Sequence, residues 1–334
     1  MAERDQAIAG FLAGAGWGDA ARAALPGDAS FRRYFRLARQ GTTAMLMDAP
    51  PPQEDVRPYL AIARSLQSLD LSAPEIFAED VAAGLLLIED FGDDTYTRLL
   101  AKGADETALY ALAIDVLIAL RERFAPDAAP SLPPYDDTRL LSEAALLVDW
   151  YLPAITGSET PAALREEYLD LWRNLFPVAR AMPPTLVLRD YHVDNLMRIP
   201  GRPGIAACGL LDFQDAVLGP ITYDLVSLLE DSRRDIAPDL IAAMRQRYLS
   251  AFPDLDRDAF NASFAVLGAQ RHCKVVGIFT RLDRRDKKPR YLTHIPRLWR
   301  LIDQDLRHPV LAPVKAWLDR HIPPALRVVP KASS

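Results

Sequence analysis

Between Leu186 and Met197 the chain reads LVLRDYHVDNLM, an apolar run that breaks into Asp190, His192, Asp194 and Asn195 and then turns apolar again. A second break follows in GLLDFQD, where Asp212 emerges from apolar sequence and Asp215 stands three residues on. Taken singly, each of these is an ordinary turn or strand-edge residue. Taken together, the spacing D-x-x-x-x-N, a short connection and a further aspartate can direct two carboxylates and a carboxamide to one point. Such oxygen ligands suit magnesium, which takes one or two carboxylates and completes its shell with water and phosphate oxygens. Phosphoryl transfer requires little more from a protein than a metal against the phosphates and a carboxylate to receive or orient the acceptor hydroxyl proton. Asp190 suits the base, and Asn195 with Asp212 the metal. His192 is read as a loop histidine.

The elements that must position these groups follow from hydrophobic period. A short helix over residues 4–14 leads through PGDAS (Pro26–Ser30) to two strand-like runs, RRYFRLAR and TTAMLMDA, joined at Gln40 and Gly41 as a hairpin. In VRPYLAIARSLQSLD the apolar positions Val56, Leu60, Ile62, Ala63, Leu66 and Leu69 share one helical face. EIFAED and GLLLIEDFG form a second strand pair around Ala82, Ala83 and Gly84. From ETALYALAIDVLIALRERF onward helical spacing dominates. The exceptions are TLVLRD, NLMRI and CGLLDF, the last two separated by the turn PGRPG, Pro200–Gly204. The expected fold class is therefore α+β: a small antiparallel-sheet lobe over residues 1–91 with one main helix, then a larger, mainly helical lobe over 92–334. No internal repeat or low-complexity tract interrupts it.

Composition excludes several classes. Half of the 334 residues are hydrophobic and a quarter charged, as in an ordinary folded protein. The net charge of −6 provides no overall basic field, so nucleic acid is not an expected partner, and RLDRRDKKPR (Arg281–Arg290) reads as a solvated helix end or loop. No stretch reaches the roughly 18 apolar residues of a membrane span, and the N-terminus lacks the pattern of a signal peptide. Cys208 and Cys273 are widely spaced in apolar surroundings, as free thiols are. These features lead us to expect a cytoplasmic, reduced protein without an obligatory protein partner.

LRDYHVDN and LLDFQDAVLGPITYDL, the latter including Gly219, Asp224 and Leu225, resemble the catalytic and metal loops of the aminoglycoside phosphotransferase and choline kinase superfamily, which has a bilobal protein-kinase-like fold. The lobe order agrees over nearly the whole chain. A narrower likeness, carried by DASFRRYFRL, MDAPPPQED, LPPYDD, DFQDAVLGPITYDL and QRHCKVVGIF, is to bacterial cell-wall sugar kinases, which use ATP and Mg2+ to phosphorylate the anomeric hydroxyl of N-acetylmuramate and N-acetylglucosamine in peptidoglycan recycling. The resemblance implies a catalytic loop at 186–197 with Asp190 as base, and a metal loop at 210–216 with Asn195 and Asp212 as magnesium ligands. It also implies that Asp224 is a buried structural carboxylate and that Ser30, Phe31, Arg32 and Arg33 form a loop over the nucleotide phosphates. Glu89 and Phe91 would be the hinge meeting adenine, and Glu54 an acidic partner on the neighbouring helix.

Two departures stand out. Leu188 replaces the first histidine of H-G-D, and no lysine precedes Lys102, so Met47 or Asp48 stands where such kinases carry a phosphate-binding lysine. A Walker A loop is excluded for the same reason. Arg32, Arg33 and Arg36 are the candidate replacements, since guanidinium binds phosphate through forked donors. On a strand Arg32 and Arg36 would share one face and Arg33 the other. For an amino-sugar substrate the candidates are Asp149, Trp150, Tyr151, Asp215, Arg271 and Lys274, although Trp150 equally suits helix packing. Two alternatives stay open at this point, a kinase of another hydroxyl compound such as an aminoglycoside and a nucleotide-binding pseudokinase.

Overall fold

The computed structural model describes residues 2–26, 31–126 and 132–333. Ser30 lies outside them. The chain divides into two compact units, Met1–Val116 with Val193–Ala216 and Leu117–His192 with Val217–Ser334, so the 91/92 join falls inside the first unit. In order, the elements are α1 (Ala2–Gly14), β1 (Ala21–Ala24), β2 (Arg33–Arg39), β3 (Thr42–Asp48), α2 (Arg57–Ser68), β4 (Ile76–Asp80), β5 (Leu85–Ile88), α3 (Tyr96–Ala101), α4 (Glu106–Arg123), α5 (Asp137–Leu146), α6 (Leu152–Thr156), α7 (Ala162–Ala179), β6 (Pro184–Val187), β7 (Leu196–Arg198), β8 (Cys208–Leu210), β9 (Val217–Pro220), α8 (Thr222–Leu229), α9 (Pro238–Ala251), α10 (Arg257–Arg284), α11 (Ile295–Asp305) and α12 (Ala312–His321).

Within the first unit a five-stranded antiparallel sheet has the order β1-β2-β3-β5-β4. Its register is set by the β2–β3 hairpin, where Gln40 and Gly41 both take positive φ, +49° and +80°. Two left-handed residues in succession make the turn that matches strand twist, which a glycine at the second position eases. Alternation then puts Leu37, Ala44, Leu46, Leu85 and Leu87 on one face, where they are buried with Ile8 and Leu12 of α1. The apolar face of α2 is buried at Tyr59, Leu60, Ile62, Ala63 and Leu66, with a proline in its first turn where no intrahelical donor is lost. The same unit contains the β7–β8 hairpin, in which Leu196 pairs with Leu210.

The second unit is built around α10, which buries residues along most of its 28-residue length. Trp172 and Phe176 of α7, Val276 of α10, Trp299 and Ile302 of α11 and Trp317 of α12 are buried in one cluster with it. At Gly277 α10 approaches its neighbour closely: a Cβ there would lie 2.3 Å from the backbone carbonyl of Leu146. Only a residue without a side chain permits that approach. Immediately after Leu146 the backbone widens into a π-turn, Leu147–Tyr151. β6 and β9 pair antiparallel, Val187 opposite Val217, and end next to the loop containing Leu188–His192. Both cysteines are buried free thiols. Among the described residues no helix is long and apolar enough to cross a membrane.

Candidate active site

In the first unit the β7–β8 ladder continues one step past its paired strands, because the Leu211 N–H donates to the Asn195 carbonyl at 3.0 Å. Asn195 and Asp212 therefore sit side by side at one end of the hairpin, the Asn195 amide 3.5 Å from Asp212 Oδ2. Asp212 takes a left-handed backbone, φ +57°, a conformation that non-glycine residues rarely adopt and that turns its carboxylate out of the strand direction. Gln214 Nε2 donates to Asp212 Oδ1 at 2.9 Å and to Asp215 Oδ2 at 3.4 Å, which links the two carboxylates of the loop. Phe213, buried, packs its ring on Tyr59 of α2 with centroids 4.9 Å apart. One carboxylate and one carboxamide, both reachable by solvent, form a hard oxygen donor set of the type magnesium uses, an ion that completes its shell with phosphate oxygens and water.

The three N-terminal arginines have different partners. Arg33 pairs with Asp48, which is fully buried and also accepts from Arg4 at 2.5 Å; Arg4 donates in addition to the Ala83 carbonyl. Asp48, at the strand position expected to hold a lysine, is thus the anchor of a guanidinium pair from α1 and β2. Arg36 bonds Asp90 at 2.8 Å, Asp93 at 3.0 Å and the Gly92 carbonyl at 2.9 Å. Arg32 lies between Glu54 and Asp212, at 3.6 and 3.8 Å. Glu54 also accepts from the Phe31 N–H at 3.1 Å, while the Phe31 ring itself is 69% exposed. At the hinge candidate, Glu89 donates its N–H to the Glu75 carbonyl at 2.8 Å and its carboxylate meets Arg202. Phe91 is buried with Met197 and Ile199.

In the second unit Asp190 is exposed and the loop beneath it is tied down at three backbone atoms. Buried Asp224, in the first turn of α8, accepts from the Leu188 N–H at 2.7 Å and the Arg189 N–H at 2.9 Å. Ser227, one turn on, donates its hydroxyl to the Arg189 carbonyl at 3.2 Å and accepts from buried Arg271 at 2.8 Å. These bonds hold Arg189 at φ +70°, a strained conformation immediately before Asp190. Burial pushes the Asp224 carboxyl up to about 7, against the two N–H donors, which favour the ionised form. Leu188, in place of a histidine, is buried. Asp224→Asn is expected to lower unfolding stability by about 1–3 kcal/mol, because a carboxamide offers one acceptor oxygen where two N–H groups need one each. Urea denaturation checks this; stability equal to wild type would show that the two bonds contribute nothing.

The remaining candidates separate. Lys274 donates to Glu143 at 2.8 Å and lies 3.4 Å from the Tyr223 hydroxyl. Glu143, buried on α5, also accepts from Arg189 and the Tyr135 hydroxyl, and although burial alone raises a carboxyl, Lys274 and Arg189 hold this one below the ordinary range. Asp149 is exposed and paired with Arg165 at 2.7 Å. Trp150 is half-buried on the same π-turn. Tyr151 is buried, and its hydroxyl donates to the carbonyls of Leu326 and Val328 near the C-terminus. The sequence reading missed Ser227 and Glu143. For Glu143 there was a signal, a lone acid in the otherwise apolar helical run LLSEAALL; for Ser227 there was none.

A sequence model of the phosphotransferase enzyme family matches residues 22–260. The chain belongs to that family. It is 41% identical to an N-acetylmuramate/N-acetylglucosamine kinase of Caulobacter vibrioides over 96% of this chain and 97% of that protein. It is 39% identical to the protein of the same name from Pseudomonas aeruginosa, over 89% and 88%. Among solved structures, choline kinase LicA of Streptococcus pneumoniae superposes with a TM-score of 0.64 at 11% identity, covering 92% of this chain and all of that one. The small antiparallel sheet followed by a larger helical part is the protein-kinase-like arrangement of this family, as the sequence led us to expect. As a phosphotransferase, the chain is an enzyme that moves a phosphoryl group.

Proposed function

We propose that the chain is an ATP- and magnesium-dependent kinase that phosphorylates the anomeric hydroxyl of N-acetylmuramate and N-acetylglucosamine, producing the sugar 1-phosphate in the cytoplasm during peptidoglycan recycling. The observation that supports it most is 41% identity, nearly end to end, to a relative named for those two sugars. In this reading residues 1–91 form the nucleotide-binding lobe and 92–334 the lobe that takes the acceptor. Asp190 accepts the proton of the anomeric hydroxyl as its oxygen bonds to the γ-phosphorus and the bond from that phosphorus to ADP breaks, and the anchoring of Leu188 and Arg189 at three backbone atoms holds that carboxylate ready. Asn195 and Asp212 are the groups that would hold magnesium, whose charge would offset that of the transferring phosphate. Glu89 and Phe91 line the adenine position. Lys274, held on Glu143, is the cation nearest in character to what the lactyl carboxylate of N-acetylmuramate requires, and Asp215 the carboxylate best suited to a sugar hydroxyl.

The test is to incubate the purified protein with Mg-ATP and, separately, N-acetylmuramate, N-acetylglucosamine and an aminoglycoside, following phosphorus NMR. The expected result is an anomeric phosphate on both amino sugars. Phosphorylation of the aminoglycoside alone would move the substrate, and nucleotide binding without turnover of any acceptor would make the chain a pseudokinase.

A further inference from the structure

No lysine precedes Lys102, so the nucleotide-binding reading above, on which this inference rests, leaves open what cation meets the phosphates. Three arginines stand close enough in sequence, and the first unit separates them by their partners. Arg33 is committed to a fully buried carboxylate that Arg4 shares. Arg36 is engaged at once with Asp90, Asp93 and a backbone carbonyl, at 2.8 to 3.0 Å. Arg32 is placed differently: it stands between Glu54 at 3.6 Å and Asp212 at 3.8 Å, and the second of these carboxylates belongs to the oxygen donor set suited to magnesium. The side chain is only 14% exposed.

The surroundings of Arg32 keep it in place. Glu54 is bound at the same time to the Phe31 N–H, which fixes the backbone that carries Arg32. Tyr34 lies beside it, and burial pushes that phenol up to about 12, so it remains a neutral neighbour. Asp212, the other partner, is one of the two oxygen donors suited to a divalent cation. A guanidinium and a metal ion on one carboxylate repel each other unless an anion binds both, and a polyphosphate is an anion of that kind.

We propose that Arg32 is the phosphate-binding cation of this enzyme. Glu54 presents it from one side, and Asp212 occupies its other side until the metal-bound nucleotide takes that place. Arg33 and Arg36 are structural in this assignment, holding the sheet to α1 and to the segment after β5.

The experiment is calorimetric titration of ADP and of adenosine, without any acceptor, into wild type, Arg32→Met and Arg64→Met, the last a surface arginine paired with Glu79 in the same unit. Arg32→Met is expected to weaken ADP about 10- to 100-fold, the worth of a charge-assisted hydrogen bond or two, while adenosine binds as in wild type. Arg64→Met should bind both as wild type does. ADP affinity within about twofold of wild type in Arg32→Met would overturn the assignment, and so would Arg33→Met or Arg36→Met losing ADP selectively in its place. Should Arg32→Met lose adenosine as well, arginine-selective phenylglyoxal labelling of the wild-type protein decides: protection of Arg32 by ADP and not by adenosine supports the proposal, and equal labelling overturns it. A wild type that binds no ADP would overturn the nucleotide reading and this inference with it.

Discussion

Asp190→Asn is expected to lower kcat by about 10²- to 10⁴-fold, the usual contribution of a positioned general base, with KM for nucleotide and sugar little changed. The substitution removes the charge while leaving in place the bonds that anchor the backbone of the loop. Its anchors are backbone bonds: Leu188 and Arg189 N–H to Asp224, the Arg189 carbonyl to Ser227, and the Asp190 N–H to the Leu188 carbonyl at 2.9 Å. Asn is isosteric, exposed, and makes none of these worse. A carboxamide cannot accept the proton, so the interaction lost is one made as the proton leaves, which lowers kcat and kcat/KM together. Steady-state kinetics with N-acetylmuramate over a range of concentrations checks it. A variant within threefold of wild-type kcat would remove Asp190 from the mechanism and direct attention to another group of the loop.

Asp212→Asn is expected to cost about 10²- to 10³-fold in kcat, on the scale of removing one preorganised electrostatic group from a charge-developing site. The variant keeps the size of the side chain and one oxygen but removes the charge that a divalent cation needs most. Its signature is therefore metal-specific. The magnesium concentration giving half-maximal rate should rise at least about tenfold, and magnesium should no longer strengthen ADP binding in calorimetry. Phe213, packed on Tyr59, keeps the loop attached to α2 in the variant, so the fold should be unaffected. An unchanged magnesium dependence would place the metal on other residues. The pairing with Arg32 sharpens the measurement, because the substitution removes a carboxylate at that guanidinium while leaving Glu54 in place.

Much of the architecture was legible where the signal is local. The β2–β3 hairpin followed from Gln-Gly between alternating runs, and the buried face of α2 from Leu60, Ile62, Ala63 and Leu66, to which the structure adds Tyr59, while Val56 and Leu69 cap the helix. β1, Ala21–Ala24, was not legible, because all four residues are exposed and its sequence has no apolar alternation. β9 was hidden as well, since Val217–Pro220 reads as the tail of the metal loop, and its partner β6 lies thirty residues earlier. The sequence reading placed three candidate arginines within five residues. It could not divide them, because a guanidinium on a long flexible stem reaches any carboxylate that folding brings near.

What the sequence by itself determined is therefore the order of the elements, the turn chemistry, and the spacing of Asp190, Asn195 and Asp212, all of which depend on period and covalent connection. What only the tertiary structure decided is who meets whom across long separations: Asp224 with the peptide before Asp190, Glu143 with Arg189 and Lys274, Asp48 with Arg4 and Arg33. The reason is physical. Backbone conformation is governed by each residue and its near neighbours, whereas a buried charge must find its counter-charge among groups that packing supplies, and packing is a property of the whole chain.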